Sequence, residues 1–291
     1  MGEVIEKAYA KINLTLDVLF KRDDGYHEVE MIMTSLELAD YLSFSKRDDK
    51  QILLSAEGGS IPVNEENLCY KAAFLLQQHF GVEYGVNIAI NKQIPVAAGL
   101  AGGSSDAAAT LRGLNTLWEL KLSLGELEEL GAQIGSDVPF CVRGNTALAR
   151  GRGEVLELIA PMPSCFVVLA KPKFGFSTAR VYDILNLNNI VHPDTTAMIA
   201  AIESQDVTQI GALLSNVLAN YNKDEIVKIK QVMDASTTQG VLMSGSGPTM
   251  YALFSSENQA TRLFNSLKGF CDDVYLTKTR MSGKEKSEVS S

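Results

Sequence analysis

The sequence predicts an α+β protein of two domains. Three observations carry this. Strand patterns and helix patterns come in clusters, not in strict βαβ alternation. Pro161 and Pro163 punctuate the chain near its middle, dividing it into residues 1–160 and 161–281. The length of 291 residues suits two domains, at roughly 150 residues each. Hydrophobic residues make up 46% and charged residues 21%, enough apolar material for a substantial core without staples.

Each element has its own warrant. In residues 8–19, Ala10, Ile12, Leu14, Leu16 and Val18 alternate with Lys11, Asn13, Thr15 and Asp17. That is the pattern of a half-buried strand with one wet face. A turn at 21–25 leads to strands at 26–36 and 41–45, then a loop region holding a short strand at 51–56. Leu68, Ala72, Leu75 and Leu76 share one face of a helix over 68–80. A strand at 86–90 precedes a glycine-rich loop, 94–105, which runs into a helix over 106–118. A helix at 124–134 and strands at 140–150 and 155–159 complete the first half. The second half opens with Phe166-Val167-Val168-Leu169-Ala170, a continuous apolar run that reads as a buried strand. Helices are expected at 178–185, 197–203, 207–219 and 224–235, and strands at 241–243, 249–255 and 274–279. A helix at 258–267 lies between the last two strands. Residues 282–291 hold one large apolar residue, Val289, and are expected to form a disordered tail.

Composition excludes several classes. The net charge is −9 with no Lys/Arg block, which argues against a nucleic-acid partner. Cys69, Cys141, Cys165 and Cys271 are too dispersed for zinc spacing or a disulfide framework. They read as reduced thiols in a reducing compartment. Glu3, Glu6 and Lys7 interrupt what a secretory signal would need as apolar. The longest uncharged stretch, 235–256, is filled with Ser, Thr, Gln and Gly, and reads as turn-rich, not membrane-spanning. A cytoplasmic protein with no membrane partner, monomeric or homodimeric, is expected. His27, His79 and His192 do not cluster, and His27-Glu28 has no second His at zincin spacing.

Four features carry chemistry. The strongest is Pro95-Val96-Ala97-Ala98-Gly99-Leu100-Ala101-Gly102-Gly103-Ser104-Ser105, set directly before a helical pattern. Glycines let amides approach an anion, and a helix N-terminus adds unpaired donors and partial positive charge. The loop is neither a Walker A sequence nor a GxGxxG fingerprint. Asp106 follows it and is expected to point away from an anion or to cap locally. Lys11 stands on the polar face of the first strand. Asp137 follows Gly135-Ser136, and Ser244-Gly245-Ser246-Gly247-Pro248 lies between two apolar runs. Taken singly, these leave open a tight-packing loop, a solvated lysine, a turn aspartate and a plain turn.

Together, in this order and spacing, they resemble the GHMP small-molecule kinases over residues 4–280. Ala10-Lys11-Ile12-Asn13-Leu14 and Asp24-Gly25-Tyr26-His27 are similar to one branch of that family, in isoprenoid-precursor synthesis, whose alcohol substrate bears a diphosphocytidyl group. The resemblance implies a ribosomal-S5-like N-terminal domain and a ferredoxin-like C-terminal domain. It implies phosphoryl transfer from ATP, with Mg²⁺, to a hydroxyl of that substrate. Lys11 and Asp137 match the catalytic pair, residues 95–105 the ATP phosphate loop, and Asn13, Tyr26 and His27 substrate positions. Tyr182 is a looser match for a second ring stacked on the cytosine. The metal's protein ligands are unassigned, with Ser104 and Ser105 the candidates. Tyr9 stands where relatives usually carry Pro, which bears on how the first strand enters its sheet, and Asn145 where they often have a small residue or His. A kinase for another small alcohol (mevalonate, homoserine or a sugar) and a non-catalytic ligand-binding protein on the same fold remain alternatives.

Overall fold

The structure, a computed structural model, describes residues 2–281; the tail expected at 282–291 lies outside the described residues. Two sheets organise the chain. The first has seven strands: β1 (Val4–Lys21), β2 (His27–Arg47), β3 (Ile52–Glu57), β4 (Gly85–Asn91), β5 (Thr146–Arg150), β6 (Val155–Leu158) and β8 (Ser215–Asn216). Its main path runs β3-β4-β2-β1-β8, and β5 and β6 extend from β2. The second sheet, ordered β11-β7-β10-β9, contains β7 (Phe166–Lys171), β9 (Gly240–Met243), β10 (Met250–Phe254) and β11 (Asp273–Lys278), all paired antiparallel.

Nine helices accompany the sheets among the described residues. Four lie in the first half: α1 (Leu68–Phe80), α2 (Gly102–Leu117), α3 (Leu124–Ala132) and α4 (Val138–Arg143). The others are α5 (Thr178–Asp183), α6 (Thr195–Glu203), α7 (Val207–Ala212), α8 (Asp224–Asp234) and α9 (Glu257–Lys268). No helix among the described residues is long and apolar enough to cross a membrane.

The cores explain the layers. Leu42, Phe44 and Ile88 of the first sheet pack under α1 and α2. Ile12, Leu14 and Ile32, on its other face, meet Val167, Leu169, Tyr251 and Leu253 of the second sheet, with Met198 and Ile202 of α6 alongside. The second sheet turns Val168, Ala170, Ala252 and Phe254 towards α8 and α9. Strand β7 therefore buries both faces, as a continuous apolar run should.

Several expectations are corrected. The expected wet face of the first strand is covered: Lys11, Asn13, Thr15 and Asp17 are all buried. The strands expected at 26–36 and 41–45 are one strand, β2. The residues between them take up a register shift against β1, where Tyr9 faces Ala39 but Lys11 faces Ser35. The strand expected at 140–150 begins as α4, because Pro139 sits in a first turn, where its missing N–H costs nothing. The helix expected at 207–219 stops at Ala212, and Ser215 and Asn216 pair with Thr15 and Leu16 of β1 instead.

Candidate active site

A cleft of about 810 Å³ opens where β1, the starts of α2 and α4, and the loop before β10 converge. Lys11 lines it. The Lys11 Nζ donates to Asn13 Oδ1 at 2.8 Å and lies 3.7 Å from Asp137 Oδ2. The Lys11 amide donates to Leu100 O at 3.1 Å, tying the strand to the glycine loop. Asp137 occupies the N-cap position of α4 without making a side-chain cap bond, so its carboxylate faces Lys11. Asn13 is fully buried and does not line the cleft; it acts on Lys11.

The glycine loop is more sharply folded than its sequence suggests. Ala97, Gly99 and Ala101 all have positive φ, at 52°, 76° and 56°. The helix starts at Gly102, not at Asp106, so Gly102, Gly103 and Ser104 form the first turn of α2. Their amides have no intrahelical acceptor, and Ala101 offers no side-chain cap. The result is a set of donors at the positive end of a helix. Gly99 is obligatory: a Cβ there would stand 2.2 Å from Ser244 O. The Ser244 hydroxyl donates to Gly99 O at 3.0 Å, so the Ser244–Pro248 turn clamps the glycine loop from the far side.

Within the motif, Pro95 to Gly99 and Ala101 to Ser104 line the cleft. Leu100 is core, and the Ser105 hydroxyl donates to Tyr9 O at 2.7 Å. Of the two serine candidates for the metal, Ser104 is the one that lines the cleft. Mg²⁺ takes one or two carboxylates, with phosphate oxygens and water completing its shell. Asp137 and Ser104 both line the cleft and carry the oxygen donors that would hold such a cation. Among the described residues no group of three or more His, Cys, Asp or Glu could hold a metal ion. Beside Val96 of the loop the cleft forms a recess lined by Ile61, Pro62 and Leu68, with Glu66 and Asn67 next to them, and sequence patterning did not place these five residues in the site.

At the other end, Tyr26, His27 and Tyr182 all line the cleft. The His27 and Tyr182 rings lie 5.3 Å apart. Burial, then the nearby Lys21 charge, holds His27 below the usual imidazole range, which favours the neutral ring. Burial and the Asp137 charge push the Tyr182 phenol up. The Arg152 guanidinium stands 4.9 Å from the Tyr26 ring centroid. Sequence reasoning missed Arg152, although its glycine-flanked setting, Gly151-Arg152-Gly153, was a signal.

Behind the glycine loop lies a buried charge cluster that sequence reasoning also missed. The Lys92 Nζ donates to Asp40 Oδ2 at 2.5 Å and to Asp106 Oδ2 at 2.7 Å. Asp40 Oδ1 accepts the Gln93 and Ile94 amides, which fixes the approach to the loop. Asp106 thus pairs with Lys92 and does not cap. Burial, together with Asp40, pushes its carboxyl up to about 8. Its Oδ1 is buried with no hydrogen-bond partner.

The family model for the GHMP kinases N terminal domain matches residues 67–145, and that for the GHMP kinases C terminal region matches residues 198–273. A 4-diphosphocytidyl-2-C-methyl-D-erythritol kinase of Exiguobacterium sibiricum is 53% identical, over 94% of this chain and 97% of its own length. One of Bacillus subtilis is 52% identical, over 97% and 98%. A crystal structure of 4-(cytidine 5'-diphospho)-2C-methyl-D-erythritol kinase superposes with a TM-score of 0.81 at 32% identity, covering 95% of this chain and all of that one. The L. major mevalonate kinase structure, at 20% identity and a TM-score of 0.76, shares the fold. More than half of the chain matches the family models, and relatives above 50% identity span nearly its full length; it belongs to the GHMP kinase family, on the branch of the 4-diphosphocytidyl-2-C-methyl-D-erythritol kinases.

Proposed function

We propose that this chain transfers the γ-phosphoryl group of MgATP to the 2-hydroxyl of 4-diphosphocytidyl-2-C-methyl-D-erythritol, a step of the non-mevalonate isoprenoid precursor pathway. The observation that carries the reading is the Lys11–Asp137 pair, 3.7 Å apart, between the phosphate loop and the aromatic end of the cleft. The new bond joins the substrate oxygen to the γ-phosphorus. The bond from that phosphorus to the β-bridging oxygen breaks, ADP leaves, and the hydroxyl proton passes to Asp137. An alcohol is far more basic than a carboxylate, so the proton moves late. A loose phosphoryl-transfer transition state allows that, and positioning suffices.

Lys11, held by Asn13, offsets charge on the attacking oxygen and the transferring group. The first-turn amides of α2 bind the phosphates, and the Ile61–Val96 recess suits a flat base. Tyr26, His27 and Tyr182 favour a substrate with its own aromatic base, which mevalonate, homoserine and sugars lack.

Coupled ADP release with MgATP, comparing the cytidyl substrate with mevalonate, homoserine and galactose, tests the reading. Turnover on the cytidyl substrate alone is expected. Turnover on another alcohol alone would keep the phosphate loop and the Lys11–Asp137 pair but overturn the roles of Tyr26, His27 and Tyr182. Silence on all four would favour a non-catalytic binding protein.

A further inference from the structure

We propose that the Asp17–His192 pair is a latch that holds residues 172–193 across the substrate end of the cleft, making Asp17 and His192 positioning residues for recognition of the cytidyl group. This rests on the cytidyl reading above. Residues 172–193 leave β7 at Lys171 and regain a long helix at α6, capped by Asp194. Between these points there are only α5 and one 3₁₀ turn, Leu187–Asn189, with no strand ladder. Yet this strap supplies Thr178, Ala179, Tyr182 and Asp183 to the cleft. A segment with few backbone bonds to the rest of the fold opens easily unless side chains pin it.

Several attachments pin it, among them Phe174 and Phe176 packed on the second sheet's core and the Lys173 amide donating to Glu225 Oε1 at 3.2 Å. The Thr178 and Ser246 hydroxyls are 2.9 Å apart at the near end. Val181, Tyr182, Leu185 and Leu187 pack on the cluster around Leu16, Val18 and Val29. Beyond Leu187 apolar packing thins, and Val191 is 87% exposed. There His192 Nδ1 lies 2.9 Å from both carboxylate oxygens of Asp17. The Asp17 carboxylate is buried, and one of its oxygens also accepts the Val18 amide at 2.8 Å. A buried carboxylate is costly unless hydrogen-bonded or paired, and the side-chain partner the structure gives it comes from the strap. The pair thus links β1, which carries Lys11, to the segment that carries Tyr182.

The test measures binding of cytidine 5'-diphosphate by calorimetry, together with steady-state kinetics on the full chain. The variants are His192→Ala, His192→Gln, Asp17→Asn, the Asp17→Asn/His192→Ala double variant, and Tyr182→Ala. The His192 side chain is 56% exposed, so its variants are expected to fold. His192→Ala should weaken cytidine diphosphate binding and raise KM for the cytidyl substrate about tenfold. Its kcat and its KM for ATP should stay within about twofold, because the latch touches neither the phosphate loop nor the reacting atoms. His192→Gln, which restores an N–H donor, should recover part of the loss. The double variant should be no worse than the weaker single one, since the two residues act as one unit. Unchanged cytidine diphosphate affinity in His192→Ala, with weakened affinity in Tyr182→Ala, would overturn the latch alone. Unchanged affinity in Tyr182→Ala would overturn the cytidyl subsite, and the latch with it.

Discussion

Lys11 is a lysine with almost no access to water, fixed by Asn13 on one side and Asp137 on the other. The two partners have different consequences. Asn13 sets the direction of the ammonium, whereas Asp137, in the proposed mechanism, takes the proton. Asp137→Asn keeps the shape and removes the base. The expected outcome is a kcat lower by about 10²–10⁴-fold, with KM for ATP changed less than about threefold, measured by coupled ADP release. The pair was legible in the sequence because it sits in recognisable motifs. The burial of Lys11 was not, since a period-two pattern separates two faces without saying what covers the second. The Lys92 cluster gave no signal, because 52 residues separate Asp40 from Lys92. That cluster makes its own prediction. Burial and the Asp40 charge push the Asp106 carboxyl up to about 8 from its ordinary 3.8, so the Asp40–Asp106 pair beside Lys92 keeps a proton that the unfolded chain has already released. The folded state therefore binds more protons than the unfolded one across this window. Stability is fully present below it and falls as pH rises towards 8. Asp106→Asn replaces the protonated carboxyl with a neutral amide. The melting temperature of the wild type should drop more steeply between pH 6 and 9 than that of the variant; parallel slopes would contradict the assignment.

At the scale of elements, local pattern located most strands and helices, but the irregularities that build the site were hidden. The break expected in β2 is a register shift, which only the partner strand reveals. The start of α2 lies four residues earlier than expected, because Gly102 to Ser105 read as loop by composition but wind as helix once Ala101 takes a left-handed turn. Two glycines in this segment separate folding from binding. At Gly99, φ is +76° and a Cβ would meet Ser244 O at 2.2 Å. Gly99→Ala should cost about 1–3 kcal/mol, seen as a lower midpoint in urea, and should disturb the loop as well. Gly103 carries no positive φ, and a Cβ there would meet only Leu68 Cδ1, at 3.8 Å. Gly103→Ala should leave stability unchanged or slightly raised, by helix propensity. It should still raise KM for ATP, because the added methyl stands on the cleft-facing first turn. If both variants lost stability equally, the division between the clamped and the open part of the loop would be wrong.

Across the whole molecule, the two prolines that suggest a boundary at residue 160 separate the chain more than they separate the core. Ile12, Leu14, Ile32 and Leu148 from the first half bury themselves against Val167, Leu169, Tyr251 and Leu253 from the second. The Tyr251 hydroxyl donates to Asn13 O at 2.7 Å, directly behind the residue that orients Lys11. Strand β8, from the second half, completes the edge of the first sheet, and the side chain of its Asn216 donates to Met243 O and Gly245 O at 2.8 Å each. Sequence pattern could not show this, because apolar faces announce burial without naming the partner surface. The energetic consequence is large. Exposing four such side chains costs about 2 kcal/mol each, or about 8 kcal/mol, comparable with the whole stability of a typical domain at about 5–15 kcal/mol. The first half should therefore not stand alone. Residues 1–160 expressed by themselves are expected to show no cooperative thermal transition. The full chain should give one calorimetric transition in which van't Hoff and calorimetric enthalpies agree. MgATP should raise that single midpoint, since binding at the phosphate loop stabilises a unit that includes both sheets. Two resolved transitions, with only the first shifted by MgATP, would mean that the inter-sheet core is weak and that the cleft is assembled by docking and not by folding.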